Sequence, residues 1–294
     1  MKIPGNFYML LTGICCCLFI FSCKKTELVT ITGNQAPVDT TLETVVYEDF
    51  INRTYILVLG REPNVTEFNS SLLQLQNANL NLQSRHIFLD GVFSKPDYRW
   101  RQFDKWRIEL LNNMDTSDVT NTIAIFDFLL GDTTNQAFWP TIQYERDRLA
   151  VLQQAPSAYS SGSISIRELQ LIMTDNYFYD QINMGSLNFV NTTFQHFLNR
   201  NPTLTEQSNG VSMVNGNNAV LFLQAGSSKE DYLDIFFNSS DYYEGAINRL
   251  YQDYLFRAPA SLEMSVASLN YQQSHDFEAV QKAILSTDEF VKGN

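Results

Sequence analysis

One short residue pattern recurs three times in this 294-residue chain and limits its fold more than any other feature. An arginine is followed two residues later by proline and six residues later by glutamate, and an aromatic residue precedes it by six positions. The copies are Arg61, Pro63 and Glu67; Arg200, Pro202 and Glu206; and Arg257, Pro259 and Glu263, with the aromatic residues Tyr55, Phe194 and Tyr251. Shared spacing in three places indicates one structural element used repeatedly.

The residues around each arginine are typical of a corner between two helices. Gly60 and Asn199, directly before the arginine, suit the left-handed conformation that ends a helix. Proline cannot continue that helix but is tolerated beside the start of the next one. Asn64 and Thr203 lie three residues before the glutamate, which is the spacing of a helix N-cap box. The pattern therefore predicts a tight corner that joins two helices.

The third copy departs from this pattern at two positions. Phe256 stands where the other copies have Gly60 and Asn199, and Ala260 stands where they have a capping side chain. A bulky side chain disfavours the left-handed region, so we expect the helix before this corner to end differently. We also expect Ser261 to cap the next helix, one residue later.

A second mark, an acidic residue beside an aromatic one, follows each corner after 36, 41 and 31 residues, at Asp97, Asp241 and Asp288. We interpret it as the end of a unit made of helix, corner, helix, loop and helix. A fourth mark, Ile172 to Asp180, has no Arg-x-Pro corner before it, and Thr122 to Asp132 is the best segment for its earlier helix.

The three arginines predict ion pairs between the corners and the acid-aromatic marks. A cation stabilises the carbonyl end of a helix, yet all three positions are arginine, whose planar fork binds carboxylates and carbonyls in a way that lysine does not. The expected pairs are Arg61 with Asp97, Arg200 with Asp241, and Arg257 with Asp288 or Glu289. The glutamate of each corner is the rival partner.

The sequence Tyr-x-x-x-Leu-Gly-Arg-x-Pro, followed at a distance by Ser, an acid and an aromatic residue, resembles a known helical repeat domain of unknown function. That domain occurs in bacterial secreted and cell-surface proteins and is similar to phycobilisome linker domains. The Arg-x-Pro-Thr-x-x-Glu form at Arg200 also resembles helical domains that accompany cytochromes in planctomycete-type proteins, but no Cys-x-x-Cys-His haem site is present. These resemblances imply an all-α fold and a scaffold-like context, and no catalytic residue.

The N-terminus resembles the signal peptide of a bacterial lipoprotein. Lys2 precedes sixteen mostly apolar residues, from Phe7 to Ser22, which end directly before Cys23. All four cysteines lie at or before position 23, so a chain cleaved before Cys23 has no internal disulfide. We predict lipid on Cys23 and a membrane anchor that does not span the bilayer. A plain signal peptide or a transmembrane helix is the alternative, although the run is short for a span.

Composition and pattern together give the expected organisation of the chain. We predict an all-α fold of tandem three-helix repeat units, packed into one elongated or bundled body. The segments are a signal peptide at 1–22, a flexible tether at 23–44, helical repeat 1 and a degenerate repeat 2 at 45–180, and helical repeats 3 and 4 at 181–294. The net charge of −12 excludes nucleic acid as the expected partner, because basic surface supplies most of that affinity.

Motifs for catalysis are missing from the sequence. His86, His196 and His275 have no partner at zinc-ligand spacing, and no nucleophile elbow, phosphate loop or dinucleotide fingerprint occurs. Acid pairs such as Asp175 with Asp180 are more often helix caps or solvated charges than catalytic groups. We therefore expect no catalytic residue, no metal and no cofactor.

The segment from Asp97 to Arg107 is the one local basic and aromatic cluster. Its residues Arg99, Trp100 and Arg101 form a candidate interaction surface for a sugar or an acidic partner. The alternative is a helix with Phe103, Trp106 and Leu110 in the core, and their spacing of three and four residues favours it.

The resulting hypothesis is a lipoprotein of the bacterial cell envelope, on the outer membrane of a Gram-negative cell, which acts as a scaffold or accessory interaction protein and not as an enzyme. Its expected partners are the membrane, through lipid on Cys23, and another envelope protein. The alternative hypothesis is a glycan-binding or glycan-processing accessory protein. A broad apolar groove favours the first, and an exposed aromatic strip or a deep acidic pocket favours the second.

Overall fold

The structure, a computed structural model, describes residues 40–293. The signal peptide, Cys23 and the tether up to residue 39 lie outside the described residues. From Thr41 onward the chain forms one compact unit. Helices make up nearly all of the described chain, so the predicted all-α fold is confirmed. The regular tandem of three-helix repeats stays a prediction.

Fifteen α-helices, one hairpin and short π- or 3-10 turns follow one another in the described chain. The helices are α1 Thr40–Thr54, α2 Val65–Asn77, α3 Leu82–Phe93, α4 Pro96–Leu111, α5 Thr116–Gly131, α6 Trp139–Ser160, α7 Ile166–Thr174, α8 Tyr177–Ile182, α9 Ser186–Thr193, α10 Leu204–Val214, α11 Lys229–Asn238, α12 Ser240–Leu255, α13 Ser261–Ser274, α14 Phe277–Leu285 and α15 Asp288–Lys292. The strands are β1 Ala219–Leu221 and β2 Gln224–Gly226. Helix α1 begins at Thr40, so it includes the last five residues of the predicted tether.

Two of the helices before a corner widen in their last turn. Helix α1 continues as a π-helical turn over Tyr55–Leu59, and α9 continues as one over Phe194–Leu198. The residue directly before each turn is a buried threonine, Thr54 or Thr193, whose hydroxyl donates to a carbonyl of the preceding turn. Such bonds bend helices. The helix before the third corner has Leu250 at this position and stays α-helical.

The acid-aromatic marks start helices and do not end them, so the interpretation of the mark as a stop is wrong. Lys95, Ser239 and Thr287 are N-caps, the acidic residue comes second in the following helix, and the aromatic residue comes third. An acid in the first turn is favoured by the helix dipole. The four aromatic residues at the third position are buried: Tyr98, Tyr179, Tyr242 and Phe290.

These helix starts change the predicted unit. Helix α12 begins at one mark and runs directly into the third corner, and α4 begins at another mark and ends at Asn112 in the left-handed conformation. Neighbouring corners are therefore connected through a shared helix.

The corner after α4 lacks the arginine pattern. Asp115 caps α5 and forms an N-cap box with Asp118. This N-cap follows the left-handed residue Asn112 by three positions, whereas the N-caps of the other corners follow theirs by four. Arg107, inside α4, donates to the carbonyls of Asn113 and Met114 at 2.7 and 3.0 Å. The segment from Thr122 to Gly131 belongs to α5, so its predicted helix is confirmed.

The C-terminal helices pack against the N-terminal ones. The rings of Phe50 in α1 and Phe290 in α15 lie 6.0 Å apart. Arg53 donates to the carbonyl of Val291 at 3.0 Å, and Arg85 in α3 donates to the carbonyl of Ser286 at 2.9 Å. The described unit is a closed bundle of helices around a shared aromatic core.

A β-hairpin lies between α10 and α11 and was not predicted. Strands β1 and β2 are antiparallel, with Ala219 opposite Gly226 and Leu221 opposite Gln224. Phe222 and Leu223 form its turn with φ of 47° and 65°, and such turns usually contain Asn-Gly or Asp-Gly. The hairpin accounts for the longest of the three corner-to-mark spacings.

Candidate functional site

Each corner arginine is held by two carboxylates at once, as the first corner shows. Arg61 donates two parallel bonds to Glu67, at 2.8 and 2.9 Å, and a third to Asp97 at 2.7 Å. A further bond of 3.0 Å reaches the carbonyl of Glu62. The guanidinium also lies over the ring of Tyr55, 5.5 Å from its centre. The Arg61–Asp97 pair is confirmed, and the rival partner Glu67 binds simultaneously.

The other two corners repeat this arrangement. Arg200 donates to both oxygens of Glu206 at 2.8 Å and to Asp241 at 2.7 Å, and lies 5.0 Å from the centre of the Phe194 ring. Arg257 does the same with Glu263, Glu289 and the ring of Tyr251. The aromatic residue six positions before each arginine is therefore a platform for the guanidinium.

The alternative pairing of Arg257 with Asp288 is wrong. Asp288 binds Arg85 at 2.7 Å and Lys292 at 3.1 Å, and Glu289 takes the place at the corner. Glu289 is the second residue of α15, as Asp97 and Asp241 are in their helices. The position in the helix, and not the distance along the sequence, selects the partner.

The corner glutamates also close the caps of the following helices. Glu67, Glu206 and Glu263 each accept the backbone N–H of the N-cap residue. With the arginine as the largest cause, these bonds lower the pKa of Glu206 and of Glu263 to about 2, and that of Glu67 further still. These three carboxylates are therefore ionised at neutral and mildly acidic pH.

The third corner keeps the same backbone path despite its unfavourable residues. Phe256 adopts the left-handed conformation at φ 54°, so the expectation of a different helix end is wrong. Ala260, and not Ser261, is the N-cap of α13, and its methyl group accepts no hydrogen bond. The ion pairs of Arg257 hold the corner where the local sequence does not.

A fourth arginine cluster lies in the centre of the chain, at the mark that has no corner. Arg148, inside α6, is one of the most buried arginines, with a side chain 10% exposed. It donates to Asp175 at 2.8 Å and to Asp180 at 2.9 Å, and Lys229 binds Asp180 at 2.5 Å. Glu145 completes the cluster. The acid pair Asp175 and Asp180 is thus an ion-pair site inside the fold.

The predicted interaction surface at Arg99, Trp100 and Arg101 divides in two. Arg99 is tied into the fold by bonds to the carbonyl of Tyr159 at 3.1 Å and to Glu278 at 2.9 Å. Trp100 is 60% exposed, and Arg101 is exposed and lies against Gly60. On the same helix Phe103, Trp106 and Leu110 are buried, as the alternative interpretation expected.

A polar pocket of about 380 Å³ lies where α4, α7, α12 and α14 meet the two π-helical turns. Trp106 and Phe197, stacked 5.6 Å apart, form one wall, with Tyr242 and Tyr254 among its other aromatic residues. Arg249 lies over Trp106, 4.7 Å from the ring centre. Six separate elements contribute residues to the pocket, so no local sequence pattern predicts it.

Three basic residues line this pocket beside its apolar walls: Arg101, Lys105 and Arg249. Lys105 is paired with Asp253 at 2.5 Å, and Arg249 with Glu109, whereas Arg101 has no ion-pair partner among the described residues. Gln102 is 8% exposed, and its amide has no hydrogen-bond partner within residues 40–293. Its amide atoms are not fully enclosed by protein, so they are open to hydrogen bonding by water or by a ligand in the pocket.

A second, apolar groove of about 490 Å³ lies between α13 and α14, beside the third corner. Its walls are mostly small and aliphatic, and they include Val266 and Ala267 from α13 and Ala283 and Ile284 from α14. Leu262, at the rim, is 76% exposed. Exposed apolar side chains are thus gathered in one groove, which makes it a candidate contact surface.

The remaining candidate groups have neighbours inside the fold. His196 accepts or donates a 3.1 Å bond with Tyr179, His275 does so with Tyr243, and His86 lies 3.3 Å from Ser286. Burial lowers the pKa of His196. Within residues 40–293 no three His, Cys, Asp or Glu side chains are grouped as a metal site would need.

The described part of the chain contains no helix that is both long enough and apolar enough to cross a bilayer. Comparison with family models, with curated proteins and with solved structures found no match to the chain.

Proposed function

We propose that the chain is an accessory interaction protein of the bacterial cell envelope, anchored by lipid on Cys23, and that it works by binding and not by catalysis. The observation that carries this proposal is the apolar groove between α13 and α14. A broad apolar groove favours a protein partner because burying apolar surface drives association.

The charged residues support the same proposal. The corner arginines and Arg148 are paired with the acids around them in fixed networks. Groups held in this way shape a scaffold and are not free to exchange protons with a substrate.

Two measurements test the proposal. Metabolic labelling with a fatty acid should mark the wild-type chain and leave Cys23→Ser unlabelled in a precursor or soluble pool. Chemical cross-linking in native membranes should then trap a defined envelope protein with the wild-type chain. A Val266→Asp variant should lose that product, because a carboxylate in the groove opposes burial. Labelling of Cys23→Ser, or an unchanged product, would contradict the proposal.

The polar pocket favours a second candidate, a glycan-binding accessory protein. Sugar hydroxyls both donate and accept, and the amide of Gln102 offers both functions beside the aromatic wall of Trp106. Envelope oligosaccharides should bind the wild-type chain in isothermal titration calorimetry. Gln102→Ala should weaken that binding with little loss of thermal stability, since the amide has no partner to lose within the described chain. Equal affinity in both proteins would remove this candidate.

A further inference from the structure

The second and third corners are followed by helix pairs that can be aligned residue by residue. The first pair is α10 and α11, and the second is α13 and α14. Counting from the corner arginine aligns the first helices of the pairs. Counting back from the N-cap of the next helix, Ser239 or Thr287, aligns the second helices.

The β-hairpin occupies a defined place on the first pair. The ring of Phe222 lies 5.9 Å from the ring of Phe194 and 6.1 Å from that of Phe236. The side-chain amide of Asn209 donates to the carbonyl of Val220 at 2.8 Å. Gly226 is wedged against three further side chains: Met213, Asp231 and Ile235. The hairpin therefore touches six residues of this pair and of the turn before it.

The aligned residues of the second pair form the open groove. The six residues that the hairpin touches are, in chain order, Phe194, Asn209, Met213, Asp231, Ile235 and Phe236. At the aligned positions the second pair and the residues before it have, in the same order, Tyr251, Val266, Asn270, Ala279, Ala283 and Ile284. All six of these residues line the groove. The surface that the hairpin covers on the first pair is therefore uncovered on the second pair. The connection between α13 and α14 contains only two residues, His275 and Asp276, and has no segment to fill it.

We propose that this groove is the docking site for a β-turn segment of a partner protein that carries an aromatic residue at its turn, preceded by an aliphatic residue. This rests on the proposed interaction function and names the chemistry of the partner. The chain's own hairpin is the template, since its Leu221 and Phe222 pack on the equivalent surface, whereas Leu223 is 98% exposed.

Differences between the two surfaces indicate how the segment would fit. Alanines at 279 and 283 replace the larger Asp231 and Ile235, so these walls of the groove carry smaller side chains than the surface under the hairpin. Asn270 replaces Met213 and offers an amide to the backbone of the segment. The aromatic ring would lie against Tyr251 and Ile284, as Phe222 lies against Phe194 and Phe236.

The test uses the full chain in mild detergent and a fluorescent, head-to-tail cyclised peptide with the sequence of residues 217–228. Fluorescence anisotropy should show saturable binding of the peptide. Replacing its phenylalanine with alanine should weaken binding at least tenfold, because the ring is the main apolar contact.

Two variants on the same helix form a matched pair. Val266 and Leu269 are both 52% exposed, but only Val266 lines the groove. Val266→Asp should weaken peptide binding at least tenfold, and Leu269→Asp should change it less than twofold. Absence of saturable binding, or equal loss in both variants, would overturn the proposal.

Sedimentation of the wild type and Val266→Asp separates other occupants. A wild-type dimer that Val266→Asp converts to monomer would assign the groove to a second copy and overturn the proposal.

If the cross-linked envelope partner depends on Val266 while the peptide does not bind, the interaction function stands and the β-turn chemistry fails. If the peptide binds and no envelope partner is trapped, the docking chemistry stands without its cellular role.

Discussion

The second and third corners share one arginine network but little of the local sequence around it. The second corner has Asn199 in the left-handed position and Thr203 as a capping residue, both of which suit their conformations. The third corner has Phe256 and Ala260 in their places, yet its backbone follows the same path. The comparison teaches that the guanidinium and its two carboxylates define the corner, and that cap and left-handed residues only adjust its stability.

The helices that cross these two corners also differ. Helix α12 approaches the π-helical turn before the second corner so closely that a Cβ on Gly245 would lie 2.1 Å from the carbonyl oxygen of Phe197. The equivalent helix at the third corner is α15, which ends at Lys292 before it reaches this crossing. The second corner therefore has a close backbone crossing in addition to its ion pairs, and the third corner lacks that crossing within residues 40–293.

The largest expected effect comes from breaking the packing that only the second corner has. Gly245→Ala should lower the free energy of unfolding by about 3 kcal/mol, because the methyl group meets backbone that cannot move aside. Urea denaturation followed by circular dichroism measures this. Gly91→Ala is the matched control, since no atom lies within 4 Å of a Cβ at that helical glycine. Equal stability of Gly245→Ala and wild type would show that the close crossing is not required.

Removing an arginine should have the next largest effect. Arg200→Ala leaves Glu206 and Asp241 without their cation, and we expect a loss of about 2 kcal/mol. This value lies between those for buried and exposed pairs, because the side chains are partly exposed. Arg200→Lys should lose about half as much, since one ammonium cannot replace three directed bonds and the stacking on Phe194. If Arg200→Lys is as stable as the wild type, the corner does not require the fork geometry of arginine.

The sequence predicted the corners because their determinants lie within a few residues of each arginine. It also predicted the pairs with Asp97 and Asp241, because only one acid stands at each mark. It did not predict the end of α12 at Phe256, because the ion pairs of Arg257 override the local preference of a phenylalanine.

The openings of the fold could not be predicted from local patterns. The polar pocket combines residues as distant as Leu57 and Gln281, and only the tertiary fold brings them together. Arg148 shows the same limit, since its partners Asp175 and Asp180 lie in other elements. The groove between α13 and α14 does have a signal in the sequence, because the link between the two helices is short. That short link can be interpreted only when the position of the hairpin on the preceding helix pair is known.

Acid should weaken the corners in a defined pH range. The folded-state pKa of Glu206 is about 2 and lies below its ordinary value of 4.5. Its contribution is therefore fully present above about pH 4.5 and is lost as the pH falls towards 2. Wild type should lose stability over this range by about 1–2 kcal/mol more than Glu206→Gln, which has no carboxylate to protonate there. Urea titrations at pH 6, 4 and 3 measure the difference, and parallel curves would contradict it.

Repairing the third corner should give the smallest change in stability, and in the opposite direction. Ala260→Thr restores the capping side chain of the second corner, and Phe256→Asn restores its left-handed residue. Each should raise the free energy of unfolding by about 0.5–1 kcal/mol. Asn199→Phe, the reverse exchange at the second corner, should cost a similar amount. No gain from either repair would mean that the third corner is already relaxed.

A double-mutant cycle at the third corner tests the central claim most directly, because there the ion pairs act with the least help from local sequence. Arg257→Ala, Glu289→Ala and the double variant are compared with wild type by urea denaturation. The carboxylate of Glu289 has only Arg257 as its bonded partner among residues 40–293, so the cycle isolates one pair. We predict a coupling energy of about 1 kcal/mol. A coupling energy of zero, with the two losses simply additive, would contradict the claim that this network defines the corner.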